Sequence, residues 1–187
     1  MLGHGTADAP LDPSAYAHLE SSVENKLPNE PVDAIGFSLG AQMLLRVAAK
    51  DPARFSTLVV IGVGANLFRD DDAAMAGALT TAFEDGVEPT DITARLFVQL
   101  AKSAGNDPRA MVACLRRPRE PFTNEELARV TCPTLVIIGD QDFAGPPDPL
   151  MEALPNARLV TLRGIDHFRA TSEFACIDAA LEFVGAV

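Results

Sequence analysis

Four short apolar runs along the chain have the length and side-chain composition of buried β-strands. In chain order, these runs are Val32–Phe37, Leu58–Val63, Thr134–Ile138 and Ala157–Leu162. Apolar residues occupy both faces of the runs, which is typical of strands covered by helices on two sides. The pattern therefore predicts strands of a mostly parallel sheet.

Segments with helical periodicity lie between and after these runs. Ser14–Leu27 has apolar residues spaced by three and four positions, and Leu39–Lys50 continues until Asp51-Pro52 ends it. Thr171–Val184 is predicted to be a closing helix. Its expected buried face consists of Phe174, Ile177, Leu181 and Val184. Strand and helix alternate along the chain, which predicts an α/β fold with helices flanking the sheet.

The middle of the chain, from about Phe68 to Val130, has several helix starts and no convincing strand. Pro108 follows Asp107 in the position that suits a first helical turn, and Thr123 precedes Glu126 with the spacing of a capping box. We therefore expect a single domain over residues 1–187, in which residues 69–130 form a helical lid inserted between core strands.

Composition and charge narrow the class of protein. The chain has 187 residues, of which 48% are hydrophobic and 22% charged, as is usual for one soluble globular domain. A net charge of −11 disfavours nucleic acid and anionic membrane surfaces as partners. The N-terminus lacks the features of a signal peptide, and every apolar run is too short to span a bilayer. We expect a cytoplasmic protein.

Cysteine and histidine spacing gives no sign of a metal site. Cys114, Cys132 and Cys176 form no CxxC pair and have no metal-ligand spacing with the histidines. The expectation is three reduced, partly buried thiols and neither a metal nor another cofactor.

The pentapeptide GFSLG, residues 36–40, stands between a predicted strand and a predicted helix. In this context the G-x-S-x-G pattern is typical of a sharp turn that lifts the serine hydroxyl clear of the sheet, with both glycines avoiding β-carbon collisions. Ser38 is thus a candidate nucleophile, and the N–H of Leu39 a candidate donor to an oxyanion. The alternative is a serine in an ordinary glycine-flanked turn.

A serine nucleophile needs a base, and His167 is the best placed histidine. It follows the last predicted strand, so it should lie at the same edge of the sheet as Ser38. His18 is expected to be solvated on a surface helix. Asp140 and Asp142 both follow the third predicted strand, and either could orient the imidazole. The chain order is then serine, aspartate, histidine.

Taken together, the ordered motifs resemble the α/β-hydrolase family over nearly the whole chain. The motifs are GHGTADAP (3–10), GFSLG (36–40), CPTLVIIGDQD (132–142) and RGIDHF (163–168). The resemblance implies that Asp142 is the acid, with Asp140 as the lesser candidate, and that Ser38, Asp142 and His167 form a catalytic triad. Asp166, next to the histidine, is expected to be solvated.

The spacing at the N-terminus departs from that family. His4-Gly5 resembles an oxyanion loop, but only one helix and one strand fit between it and Ser38. The segment is therefore interpreted as a later loop with a structural histidine, and the fold as N-terminally truncated. The first strands and the second oxyanion donor would be absent, which would impair activity. Three explanations stay open. The first is a misassigned start, the second is a fragment or degenerate copy, and the third is a partner chain that covers the open strand edge, as in a homo-oligomer.

The leading functional hypothesis is a serine hydrolase that cleaves a small carboxylic ester or thioester through an acyl-enzyme on Ser38. The resemblance also admits acyltransferases and C–C bond hydrolases with the same triad. A hypothesis of another class is a truncated, non-catalytic domain with a binding role or no function. Phe37, Phe143 and Phe168 adjoin the predicted triad and form either an apolar wall around an acyl group or ordinary core packing.

Overall fold

A four-stranded parallel sheet forms the centre of the fold in the computed structural model. The structure describes residues 1–70 and 73–186. The strands are β1 (Val32–Phe37), β2 (Phe55–Ile61), β3 (Thr134–Gly139) and β4 (Ala157–Leu162). They lie side by side in the order β1-β2-β3-β4, and every neighbouring pair is parallel. The predicted α/β fold with a parallel sheet is confirmed.

The strand registers bring all four carboxyl ends to one edge of the sheet. Phe37 of β1 pairs with Ile61 of β2, and Gly139 of β3 pairs with Leu162 of β4. The segments that follow the strands therefore emerge next to one another, which is where ligands bind in open parallel sheets.

The two central strands are covered on both faces. On one face, Leu58, Val60 and Val136 belong to a core cluster that includes residues of the helix following β1. On the other face, Val59 and Ile137 belong to a second cluster with residues of the closing helix. Burial on both faces explains the unbroken apolar runs in β2 and β3.

Eight α-helices lie in the described part of the chain. In chain order they are α1 (Ser21–Glu24), α2 (Leu39–Lys50), α3 (Ala73–Asp85), α4 (Ile92–Ser103), α5 (Pro108–Leu115), α6 (Asn124–Leu127), α7 (Asp148–Ala153) and α8 (Phe174–Phe183). The bounds of α2 agree with the sequence prediction. The capping box at Thr123 is present, because its side chain accepts from the N–H of Glu126 and the Glu126 carboxylate accepts from the N–H of Thr123.

The predicted helix over Ser14–Leu27 is wrong. The segment holds a 3₁₀ turn, Pro13–Tyr16, and the single turn of α1. The Tyr16 hydroxyl donates to the Pro10 carbonyl at 2.8 Å, and the Ser22 hydroxyl donates to the Leu19 carbonyl at 2.7 Å. Backbone bonds in the segment run three residues back, from Ser21 N–H to His18 and from Ser22 N–H to Leu19, which is the 3₁₀ pattern and not the α-helical ladder.

The predicted buried face of the closing helix is also wrong in part. Phe174 is 81% exposed and Ile177 is 39% exposed. Cys176 and Ala180 face the core instead, together with the partly buried Phe183. The helix thus turns small side chains towards the sheet and leaves larger apolar residues on its outer face.

The chain divides into two compact units. The helical unit consists of Met1–Ser22 and Asp70–Glu120, and the sheet unit consists of Val23–Arg69 and Pro121–Val187. The helical unit has a small core of its own, made of Leu79, Ala82, Ala94 and Val98. A lid function for residues 69–130 within a single domain stays a prediction. Within the described residues no helix combines the length and the apolar character needed to cross a bilayer.

Candidate active site

Ser38 occupies a strained turn between β1 and α2. Its φ is 51° and its ψ is −117°, and no other non-glycine residue in the described part of the chain has a positive φ. The N–H of Ser38 donates to the carbonyl of Ile61 at 2.8 Å, which fixes the turn to the end of β2. A conformation of this kind persists only where the surroundings enforce it, and such residues are concentrated at functional sites.

The two glycines that flank Ser38 differ in what they do. A β-carbon at Gly36 would lie 2.8 Å from the backbone nitrogen of Ala41, so the close approach of β1 and α2 requires glycine. A β-carbon at Gly40 would meet nothing within 4 Å. The expected collision at the second glycine is therefore wrong, because the helix leads Gly40 away from its neighbours.

Leu39 is the first residue of α2, a helix of 12 residues. The N–H groups of a first helical turn have no acceptor within the helix, and the positive end of the helix dipole lies among them. Ser38 makes no side-chain cap to this turn. The start of α2 is therefore suited to stabilise negative charge beside the serine hydroxyl.

His167 joins the serine to a carboxylate. Its Nε2 lies 3.0 Å from the Ser38 Oγ, and its Nδ1 lies 2.9 Å from Oδ1 and 3.0 Å from Oδ2 of Asp142. The side chains of His167 and Asp142 are 2% and 0% exposed. An ionised carboxylate can only accept, so Nδ1 carries the proton and Nε2 is left to accept from the serine hydroxyl.

The two neighbouring aspartates have separate positions. Asp142 also accepts from the N–H of Ala144 at 2.8 Å, which holds its carboxylate in the loop after β3. Asp140 is exposed and accepts from the N–H of Gly164 at 2.7 Å, so it stabilises the turn leading towards His167. Of the two candidate acids, Asp142 is the one in contact with the imidazole.

Asp166, which was expected to be solvated, is partly exposed and also bonds to the backbone. Its Oδ1 accepts from the N–H groups of Phe168 and Arg169, both at 3.0 Å. The carboxylate therefore shapes the turn that follows His167.

The other two histidines lie in the helical unit and have local contacts. The His4 Nδ1 lies 2.9 Å from the Leu2 carbonyl. The His18 side chain is 83% exposed and its Nδ1 lies 3.8 Å from Glu20, in agreement with the expected solvated histidine.

Three phenylalanine rings surround the imidazole of His167. Ring centroids lie at 4.4 Å for Phe143, 4.8 Å for Phe37 and 5.5 Å for Phe168. Phe143 is nonetheless 47% exposed, so part of its ring is available to a bound molecule. These rings keep water from the imidazole and limit its rotation.

The predicted strand Leu58–Val63 is wrong at both ends, because β2 spans Phe55–Ile61 and Gly62 has a φ of +68°. The segment after β2 was not singled out from the sequence. Its glycines, Gly62 and Gly64, follow the strand directly at the carboxyl edge of the sheet. The two glycines at that position could have marked the segment as part of the site, because a close approach of backbone to another group often requires glycine. Among the described residues, no group of three or more histidine, cysteine, aspartate or glutamate side chains is arranged to hold a metal ion.

This chain belongs to the alpha/beta hydrolase family, whose model matches residues 1–178. The family resemblance drawn from the motifs is thereby confirmed. A pimeloyl-[acyl-carrier protein] methyl ester esterase of Nitrosomonas europaea is 28% identical over 193 residues, which cover 89% of this chain and 75% of that protein.

Solved structures agree on the fold. A bromoperoxidase from Bacillus anthracis matches 99% of this chain and 79% of its own, with a TM-score of 0.74 and 20% identity. An esterase from Exiguobacterium antarcticum matches 98% of this chain and 78% of its own, with a TM-score of 0.72 and 19% identity. At these identities the likeness shows the fold alone.

Proposed function

We propose that this protein is a serine hydrolase that cleaves a small carboxylic ester or thioester through an acyl-enzyme on Ser38. The observation that carries the proposal is the continuous contact from the Ser38 Oγ through His167 to the Asp142 carboxylate, with both links within 3.0 Å. Such an arrangement activates a hydroxyl that is otherwise a poor nucleophile.

Acylation begins when the Ser38 Oγ attacks the carbonyl carbon and His167 Nε2 takes the hydroxyl proton. The Asp142 carboxylate, which accepts from Nδ1, stabilises the imidazolium without being protonated itself. The carbonyl oxygen becomes an oxyanion, to which the N–H of Leu39 donates. When the tetrahedral intermediate collapses, the C–O or C–S bond breaks and Nε2 returns its proton to the departing alkoxide or thiolate.

Deacylation repeats these steps with water in place of the alcohol. His167 Nε2 takes a proton from the water as its oxygen attacks the acyl carbon. The second tetrahedral intermediate then releases the carboxylic acid, and the Ser38 oxygen regains its proton from the imidazolium. The net reaction consumes one water and needs no cofactor.

One observation supports an ester as the substrate, and another supports an apolar group on it. The relative from Nitrosomonas europaea is named as a methyl ester esterase. The half-exposed ring of Phe143 stands beside the imidazole and offers an apolar surface to the group attached at the reacting carbon. Apolar groups gain about 25 cal/mol for each Å² of surface removed from water.

The proposal is tested by labelling with a small fluorophosphonate, which reacts covalently with activated serines. We expect stoichiometric labelling of the wild type at Ser38, located by peptide mass spectrometry, and hydrolysis of short-chain nitrophenyl esters. Both should disappear in Ser38→Ala. Ser56→Ala is the matched control, since Ser56 is an exposed serine in β2 of the same unit. Folded wild-type protein that resists the probe, or Ser38→Ala that still labels, would exclude the proposal.

A further inference from the structure

The segment Gly62–Arg69, here called the β2 loop, lies against the imidazole of His167 and bonds to the loop that carries Asp142. It follows β2 directly and contributes no side chain to the contact between these two residues. We propose that the β2 loop is the positioning element of the His167–Asp142 pair, and that Gly62 is its principal positioning residue. The inference rests on the proposed function.

Gly62 lies against the edge of the imidazole. Its φ is +68°, and a β-carbon there would lie 3.0 Å from Cε1 and 3.1 Å from Nδ1 of His167. The same β-carbon would lie 2.9 Å from Cε2 of Phe37. It could therefore not avoid the imidazole by shifting towards Phe37. Optimal carbon contacts are about 3.5–4.0 Å, so a methyl group would displace the ring by roughly 0.5–1 Å. The edge affected includes Nδ1, the atom that faces Asp142.

The β2 loop also binds the loop that carries Asp142. It donates to three successive carbonyls there, with one donor for each. The bonds are Asn66 N–H to Ala144 at 3.1 Å, Arg69 Nη2 to Gly145 at 3.2 Å, and Ala65 N–H to Pro146 at 2.8 Å.

Gly64 allows this second contact to form. A β-carbon at Gly64 would lie 2.9 Å from the Ala144 carbonyl oxygen and 2.8 Å from that of Pro146. Those oxygens accept from the β2 loop itself, so they have little freedom to retreat. Asp142, in turn, accepts from the N–H of Ala144. One short segment thus lies against the imidazole and also bonds to the loop that carries the carboxylate.

The test compares Gly62→Ala with Gly185→Ala. Gly185 has the same φ of +68°, but a β-carbon there would meet nothing within 4 Å. The two positions share this left-handed φ, and only Gly62→Ala crowds His167. We expect Gly62→Ala to slow fluorophosphonate labelling on the order of 10²-fold, as a displacement near 1 Å does. Gly185→Ala should stay within about twofold of the wild type.

Crystal structures of the two variants supply a readout independent of activity. In Gly62→Ala, we expect the distance from His167 Nε2 to the Ser38 Oγ to exceed about 3.5 Å, the limit of a hydrogen bond. In Gly185→Ala it should match the wild type. An unmoved imidazole in Gly62→Ala, or equal labelling of the two variants, overturns the inference. Wild-type protein that does not label would count against the proposed function, and the crystal structures alone would then decide the positioning role.

If Gly62→Ala does not fold, Gly64→Ala tests the same inference through the Asp142 loop. Gly64 has an extended φ of −172°, and the β-carbon of an alanine there would meet the carbonyl oxygens of Ala144 and Pro146. Gly77→Ala is its control, because a β-carbon there meets nothing within 4 Å. Slower labelling in Gly64→Ala than in Gly77→Ala supports the inference, and wild-type rates in both overturn it.

Discussion

The helix starts of the helical unit and the candidate site of the sheet unit depend on contacts over different distances along the chain. In the helical unit, Asp91 and Asp107 cap α4 and α5 by accepting from N–H groups two or three residues away. In the sheet unit, the contact between His167 and Ser38 joins residues 129 positions apart. Local signals thus suffice to start the helices of the first unit, whereas the candidate site of the second exists only once distant strands have paired.

The two units also differ in their cores. Leu58 and Ile137 of the sheet unit are fully buried between two layers. In the helical unit, Leu79 and Val98 belong to a smaller cluster with the alanines Ala82 and Ala94. We infer that the sheet unit is the more rigid of the two and is the one suited to hold catalytic groups, since precise sites require locked neighbours.

The largest expected effect concerns Asp142, the proposed acid in the sheet unit. Asp142→Asn should lower the rate of fluorophosphonate labelling and ester hydrolysis by about 10⁴-fold, because the amide no longer holds the required imidazole tautomer. Asp140→Asn is the matched control, since Asp140 bonds to Gly164 and not to His167. Rates measured on both variants decide which aspartate is the acid. A greater loss in Asp140→Asn would contradict the assignment.

Because the two cores differ, the same leucine-to-alanine substitution should lower the free energy of unfolding by different amounts in the two units. Leu58→Ala should lower the free energy of unfolding by about 4–5 kcal/mol, because a rigid site cannot collapse around the cavity. Leu79→Ala, in the smaller helical core, should cost about 2–3 kcal/mol. Urea unfolding followed by circular dichroism measures both. Equal costs would mean that the helical core is as rigid as the sheet core.

A smaller effect is expected from the aromatic residue beside the imidazole. Phe143→Ala should lower kcat/KM for a hexanoate ester by about tenfold relative to the acetate ester, because a lost apolar contact is worth about 1–2 kcal/mol. Phe174→Ala is the control, since that ring is 81% exposed on α8. If the ratio of the two esters is unchanged in Phe143→Ala, the ring is part of the packing and does not select substrates.

The smallest expected effect involves the three buried thiols, one in the helical unit and two in the sheet unit. Burial raises the pKa of Cys114, although Arg117 opposes the change, and burial also raises the pKa of Cys132 and Cys176. The unfolded chain therefore loses these protons first as pH rises past the ordinary thiol value of about 8.5. Stability is unaffected below that pH and falls above it.

Urea midpoints measured from pH 7 to pH 9.5 check this dependence on the thiols. Replacement of Cys114 by serine should reduce the alkaline decline, because one raised thiol pKa is removed. A decline of the same size in the variant would assign the effect to other groups, such as Tyr16, whose pKa is also raised by burial. In the native protein, aromatic disulfide reagents should modify all three thiols more slowly than in the unfolded chain.

Elements with strong local signals were predicted well from the sequence. The bounds of β1, β4 and α2 agree with those observed, Pro108 is the first residue of α5, and the capping box at Thr123 is present. Proline, capping side chains and short apolar runs act within a few residues, so their effects can be read without knowing the fold.

Predictions failed where a distant or competing contact decided the outcome. The segment Ser14–Leu27 had helical periodicity, but its backbone bonds run three residues back and Tyr16 is buried without a continuous helix. The closing helix turned Cys176 and Ala180 towards the sheet, leaving Phe174 exposed. Periodicity indicates which residues share a face, but the space left by the neighbouring layer decides which face is buried.

The amino-acid sequence by itself determined the alternation of strands and helices, the turn around Ser38 and the edge of the sheet at which His167 and two aspartates had to emerge. These features follow from local backbone preferences and from the parallel direction of the strands. Only the tertiary structure decided that Asp142 reaches the imidazole while Asp140 turns to Gly164. It also decided that Gly62 must lack a side chain, since both outcomes depend on distances of a few ångströms between segments that are remote along the chain.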